Sequence, residues 1–286
     1  MSDLKRVIWL ASYPKSGNTW LRSLLAHYLM PGKAPDLNNL RQFTTGDVRR
    51  DFFDAAAGTP YTGTTLEEWI RLRPAAMRLI AGSKPGHHFV KTHCQLTRVH
   101  DQDLIQPELT AAAIYVMRNP FDLALSFARH QGCDLDMAID RMCDADALMG
   151  TDNGIFEPLG RWDEHVQSWI GAPGLPLHVI RYEDMLANTG KAMRGLLQKF
   201  LRMKVDGPKL ARVIRANSFE QMKSFEEKHG FLEKPQGMSR FFAKGRAGVW
   251  REDLTPEQVA RLRAAFLPAL EKWYPEMLRD TGEFSG

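Results

Sequence analysis

The sequence predicts an α/β fold, with a P-loop-like central parallel sheet flanked by helices on both faces. Two observations carry that expectation. Short apolar segments, at residues 7–12, 88–92, 111–117 and 177–180, alternate with stretches of helical periodicity, and such alternation builds parallel sheets. The first segment, VIWLAS, runs straight into the turn Tyr13-Pro14-Lys15-Ser16-Gly17 and then into a helical pattern, which is the layout of a strand, a phosphate-holding loop and a helix.

Taken in order, the elements are as follows. The opening strand is mostly apolar, as a strand covered on both faces should be. From Asn18 onward Leu21, Leu24, Leu25 and Tyr28 share one helical face. Residues 31–60 are rich in Pro, Gly, Asn and Asp with scattered aromatics and read as a surface excursion that contacts substrate. Helical spacing returns at Leu66, Trp69, Ile70, Arg73 and Met77 and stops at Ser83-Lys84-Pro85-Gly86. A strand follows at 88–92, then a more apolar one at 111–117. Arg118-Asn119-Pro120 ends the latter, and Pro120 at the first helical position starts a helix through Arg129. The strand at 177–180 leads through Arg181-Tyr182-Glu183-Asp184 into a helix that runs to about Leu201. Thr255-Pro256-Glu257-Gln258 reads as a helix cap, with Thr at the cap and Gln at the third position. In a sheet of this kind ligands sit at the carboxyl ends of the strands, where the chemically interesting residues fall.

Composition fits a globular enzyme and narrows its partners. The chain has 286 residues, 44% hydrophobic and 25% charged, which suits one domain spanning 1–286. It has no uninterrupted apolar run long enough for a membrane span, and the N-terminus lacks a cleavable leader pattern, so a cytoplasmic address is expected. The net charge of +4 suggests anionic ligands, whereas nucleic acid calls for denser Lys/Arg clusters. Cys94, Cys133 and Cys143 are too few and too irregular for a disulfide framework, and His87, His88, His93 and Cys94 alternate in direction with no second ligand cluster, so no metal is expected.

Residue chemistry at the strand ends goes further. Lys15 precedes the only glycine of its loop, whereas the ATP-binding version carries lysine after a second glycine. His93, just past the strand in Lys91-Thr92-His93, is placed to act as a general base, although a histidine there also serves as an ordinary loop residue. Arg118 offers a planar fork of donors suited to phosphate, with Ser126 two helical turns on; on the residues alone, Asp122 is a competing partner for Arg118. Phe241-Phe242-Ala243-Lys244-Gly245-Arg246 sets cations among glycines, an anion-binding combination.

The string YPKSGNTW resembles the 5′-phosphosulfate loop of sulfotransferases of the cytosolic type, enzymes that use 3′-phosphoadenosine 5′-phosphosulfate (PAPS) and release adenosine 3′,5′-bisphosphate (PAP). The motifs around His93, Arg118 and Ser126, and Lys244 follow in that family's order from residue 7 to 250. The resemblance implies a catalytic set of His93, Lys15, Lys91 and Ser126, with no metal. It implies nucleotide contacts from Lys15, Ser16, Gly17, Asn18, Thr19, Trp20, Arg118, Ser126, Tyr182, Asn217, Ser218, Phe219, Phe242, Lys244, Gly245 and Arg246, with Trp20 stacking on adenine. The acceptor is expected to be a small hydroxylated molecule, apolar or aromatic, in a pocket using Phe43, Phe52, Phe53, Tyr61 and Trp69 and the second excursion at 131–160. Residues 222–248 read as a mobile lid. The opening looks especially like bacterial members that sulfate small molecules.

Departures from the pattern bear on the phosphate site. Ala243 stands where an arginine usually helps hold the 3′-phosphate, with Arg246 as a candidate substitute, and Asn18, Asn217 and Val249 also depart. Residues 251–260 lack the Val and Glu of the family's dimer motif, which leaves the oligomeric state open. Two other classes fit parts of the sequence: a P-loop kinase or NTPase, which needs a Walker lysine and a metal-holding Asp, and a non-catalytic PAP-type nucleotide-binding protein, which has no use for His93 and Lys15 together.

Overall fold

The computed structural model describes residues 5–31, 36–150, 154–235 and 238–282. Its centre is a five-stranded parallel sheet in the order Thr45–Gly46, His88–Thr92, Val7–Ser12, Thr110–Met117 and Leu177–Arg181. The opening strand lies in the middle. The chain leaves it toward one edge, returns beside it, and then crosses to the other side, so the loops after the three central strands diverge above a crevice.

Alternation along the strands covers both faces. Val7, Trp9 and Ala11 join one core with Ala113, Tyr115 and Met117, while Leu10 joins another with Ile114 and Val116. The first core is closed by the helices Leu66–Gly82, Pro120–Gln131, Trp162–Ile170 and Pro256–Ala265, and the second by Asn18–Leu29 and Gly207–Ala216. A side-chain period of two splits one strand between two helical layers. Trp9, buried on its face, satisfies its indole N–H on Thr110 Oγ1 at 2.9 Å.

The helix at Leu66–Gly82, the helix begun by Pro120 and the cap at Thr255 match the sequence reading, and the Thr255–Gln258 capping box forms in both directions. The long helix expected after Tyr182 is instead broken at Asn188 into Tyr182–Ala187 and Thr189–Arg194, followed by a π-turn at Gly195–Phe200.

The first excursion is a larger correction. It supplies the two-residue edge strand and a helix, Arg50–Ala57, whose Phe53 stacks on Trp69 at 5.8 Å with no exposed surface. What reads as surface loop thus contributes core. Residues 32–35 and 151–153 of the two excursions lie outside the described residues. Among the described residues no helix is long and apolar enough to cross a membrane.

Candidate active site

The loop after the central strand is shaped by its backbone. Lys15 has a φ of 69° and Gly17 one of 102°, and a Cβ on Gly17 would stand 2.7 Å from Cδ2 of Tyr182. Glycine is needed there both for its left-handed backbone and for the approach of that ring. Gly17 caps the helix Asn18–Leu29 without any side-chain acceptor, so the N–H groups of its first turn keep their affinity for an anion. Ser16 Oγ is buried and has no hydrogen-bond partner among the described residues. Asn18 braces the loop: its Nδ2 donates to Leu10 O at 2.9 Å and to Ser12 Oγ at 3.2 Å.

Above the crevice lies a cavity of about 490 Å³. Lys15, Gly17, Asn18, Thr19 and Trp20 line it from the loop and helix start, Lys91 and His93 from the next strand end, Arg118 and Ser126 from the third, and Tyr182 from the fourth. Ser218, Phe219, Phe242, Lys244 and Gly245 close the far side. Residues far apart in sequence meet because parallel strands all end on one side of the sheet.

His93 is held in one tautomer. Its Nδ1 lies 2.7 Å from the carbonyl oxygen of Ser12, an atom that only accepts, so Nδ1 carries the proton and the lone pair of the neutral ring is on Nε2. Burial, and then the charge of Lys91, hold the ring pKa well below its ordinary value, so His93 is neutral around pH 7. The His93 carbonyl accepts from His165 Nε2 at 3.0 Å, and His165 Nδ1 lies 2.8 Å from the Tyr115 hydroxyl, which fixes the segment from behind. A neutral imidazole with a free, oriented nitrogen on a cavity wall is equipped to take a proton.

Cations cluster on the wall, with Glu157 and Glu233 among them. Burial lowers the Lys15 pKa to about 7, with Arg118, Arg129 and Lys91 adding repulsion, and its ammonium sits over the Phe241 ring at 3.5 Å. Arg118 donates from Nη1 to Lys15 O at 3.2 Å and lies over the Tyr182 ring at 4.5 Å, but its Nε is buried with no partner. Asp122 does not pair with it. Its two oxygens accept from the backbone N–H groups of Gly248, at 2.7 Å, and Trp250, at 3.0 Å.

Several expected contacts lie elsewhere. Asn217 faces away from the cavity: its Oδ1 accepts a short hydrogen bond from Ser23 Oγ, its Nδ2 donates to Val213 O at 2.8 Å, and its carbonyl fixes Trp20 Nε1 at 2.9 Å. Ser16 and Arg246 do not line the cavity, and Arg246 forms a two-pronged pair with Glu252 at 2.9 and 2.6 Å. Of the aromatic acceptor set, Phe53, Tyr61 and Trp69 are core residues, Phe43 packs on Phe89 at 5.0 Å, and Phe52 lies under Arg49 at 5.2 Å. None of the five lines the cavity: Phe53, Tyr61 and Trp69 pack into the core beside the helices Arg50–Ala57 and Leu66–Gly82, and Phe43 packs on the sheet at Phe89.

The lid has more apolar anchorage than its composition suggests. Phe231 and Phe242 are buried against Ala26, Leu37, Leu40 and Met222, and Glu226 accepts from the N–H groups of Phe241 and Phe242 at 2.7 and 2.9 Å. Arg22 grips Glu233 with two bonds of 2.9 and 2.8 Å. Residues 236 and 237 of this segment lie outside the described residues. Arg129 and His130, on the cavity wall, are not singled out by the sequence, whereas Met149 and Glu157, also on the wall, fall in the second excursion at 131–160 expected to line the acceptor pocket. His130 is held down to about pKa 4 by burial and then by Lys15 and Lys91. An i, i+3 or i, i+4 spacing from Ser126 would have found Arg129 and His130.

Residues 5–274 match the sulfotransferase domain family. The chain belongs to the sulfotransferase family. It is 24% identical over 274 residues to dog sulfotransferase 1A1, covering 92% of this chain and 82% of that protein, and 22% identical over 277 residues to cytosolic sulfotransferase 10 of Arabidopsis thaliana, covering 89% and 75%. The fold of this sulfotransferase superposes on mouse sulfotransferase SULT7A1 complexed with PAP with a TM-score of 0.61 at 20% identity, over 99% of this chain and 90% of that one. It superposes on retinol dehydratase in a complex with retinol and PAP with a TM-score of 0.61 at 20% identity, over 94% and 82%.

Proposed function

We propose that this PAPS-dependent sulfotransferase transfers a sulfuryl group to a hydroxyl of a small apolar or aromatic acceptor, with His93 as the base. The observation that carries this reading is the Nδ1 contact to Ser12, which leaves Nε2 as the basic atom of a neutral ring on the cavity wall.

The residues fit an anionic nucleotide. An uncapped helix start, an Arg118 Nε without a partner among the described residues, and the clustering of Lys15, Lys91 and Arg118 on one wall, where Glu157 and Glu233 offset only part of the charge, support a ligand that carries phosphate. PAPS, when bound, supplies the sulfuryl group. Arg118 and Ser126 hold the 3′-phosphate, and Trp20 and Phe219 flank the base. Lys15 compensates charge on the leaving phosphate side and Lys91 on the sulfuryl side, and His93 Nε2 takes the acceptor proton. Met149, His130 and Glu157, also on the wall, form the acceptor side in this reading.

Turnover of PAPS against a panel of hydroxylated aromatic and aliphatic compounds tests the reading. PAP release should depend on the acceptor, and His93→Ala should lower it by about two to four decades with PAP affinity nearly intact. Near-normal turnover in that variant removes His93 from the mechanism. Calorimetry with PAP and with Mg-ATP separates the kinase alternative, which requires tight Mg-ATP binding.

A further inference from the structure

The 3′-phosphate reading above leaves a gap, because the resemblance places an arginine where this chain has Ala243. Ala243 does line the cavity, so a guanidinium is missing from that wall. Neither nearby lid cation is free to replace it. Arg246 is off the cavity wall and paired with Glu252, and Lys244, although on the wall, is paired with Asp253.

Across the cavity, Arg129 lies on the helix Pro120–Gln131, three residues beyond Ser126 and so on the same face. It is an exposed residue at the cavity rim. Burial, then the charges of Arg118 and Arg129, depress the Lys15 pKa, and burial, then the charge of Arg118, depress that of Arg129. No hydrogen bond or ion pair reaches the Arg129 guanidinium among the described residues. The acids nearest in effect, Asp253 and Asp122, are already engaged by Lys244 and by the backbone of residues 248 and 250. Two guanidinium groups on one cavity wall repel, and an anion that enters between them relieves that repulsion.

We infer that Arg129 is a binding residue for the 3′-phosphate, supplying from the helix that carries Ser126 the guanidinium that Ala243 cannot supply from the lid. The anion site is then built by one segment, Arg118 to Arg129, with the lid contributing backbone and Lys244. The inference rests on the PAPS reading of the cavity.

Calorimetric titration of PAP and of adenosine 5′-phosphate into the wild type, Arg129→Ala and the double variant Arg129→Ala/Ala243→Arg tests it. Arg129 is exposed, so its removal leaves the fold intact. Arg129→Ala should weaken PAP by on the order of tenfold or more, the scale of one charged hydrogen bond, and adenosine 5′-phosphate by less than about twofold. The double variant should recover most of the PAP affinity, since the guanidinium returns from the opposite wall. Unchanged PAP affinity in Arg129→Ala, or equal losses for both nucleotides, overturns the inference while leaving the co-substrate reading standing. A wild type that binds the two nucleotides equally overturns the 3′-phosphate reading itself, and this inference with it.

Discussion

The Lys15 ammonium lies 3.5 Å from the centroid of the Phe241 ring, so the loop after the central strand and the segment 222–248 touch through a cation and an aromatic face. A ring quadrupole stabilises the charged form only in part, by about 0.5–2 kcal/mol. Burial and three neighbouring cations outweigh it and bring the pKa to about 7.

That balance predicts proton uptake on binding. Phosphate oxygens beside Lys15 restore the charged form and raise its pKa toward 10.5, so between pH 7 and 10 the bound protein holds a proton that the free protein has released. PAP affinity should fall as pH rises above 7. Calorimetry at pH 8.5 in buffers of different ionisation enthalpy should register uptake of most of one proton in the wild type and none from this source in Lys15→Met. Identical uptake in both proteins assigns the proton elsewhere.

Asp122 joins the start of the helix Pro120–Gln131 to residues 248 and 250. Asn119 Oδ1 accepts from Asp122 N at 2.9 Å, and the Asp122 carboxylate then accepts from Gly248 N and Trp250 N. In Asp122→Asn one side of the group becomes a donor, and one buried N–H loses its acceptor. Denaturant unfolding should show a loss of about 1–3 kcal/mol, and PAP affinity should fall as the segment carrying Lys244 loosens. A stability within about 0.5 kcal/mol of the wild type shows that the tether is dispensable.

The parts of the site legible in the sequence are those a short segment determines. Lys15, His93, Arg118 and Ser126 stand at fixed offsets from a strand end or a proline, and once the strands are parallel their meeting follows. Phe53 and Trp69 were misread because their burial depends on each other: a short helix in a Gly- and Pro-rich stretch gives no local sign that another helix covers it. Asn217 sits beside Ser218 and Phe219 on the cavity wall, yet its amide is taken by Ser23, a partner 194 residues away in sequence. Arg129 looks like any solvated helix residue until Arg118 and the cavity are placed next to it.

Glu157, on the cavity wall, offers a test by pH. It lies on the short strand Phe156–Pro158, which pairs with Leu148–Gly150 and is fixed near His93 by a 2.8 Å bond from Gln95 N to Pro158 O. Burial raises its carboxyl from 4.5 to about 7, and Asp47 adds to the rise while Lys91 and Arg73 oppose it. The unfolded chain loses this proton near pH 4.5 and the folded chain near 7, so between the two the folded state holds the extra proton. Stability from this group is therefore full below 4.5 and is lost as pH climbs through 7. Glu157→Gln keeps the shape and removes the titration. Its melting temperature relative to the wild type should be closest near pH 4.5, should rise up to about pH 7 and should level off above it, and taking the difference cancels the titration of Lys15. The opposite slope, with Gln growing less stable than Glu as pH rises, would mean that Lys91 ion-pairs with an ionised Glu157 and that burial does not govern the group.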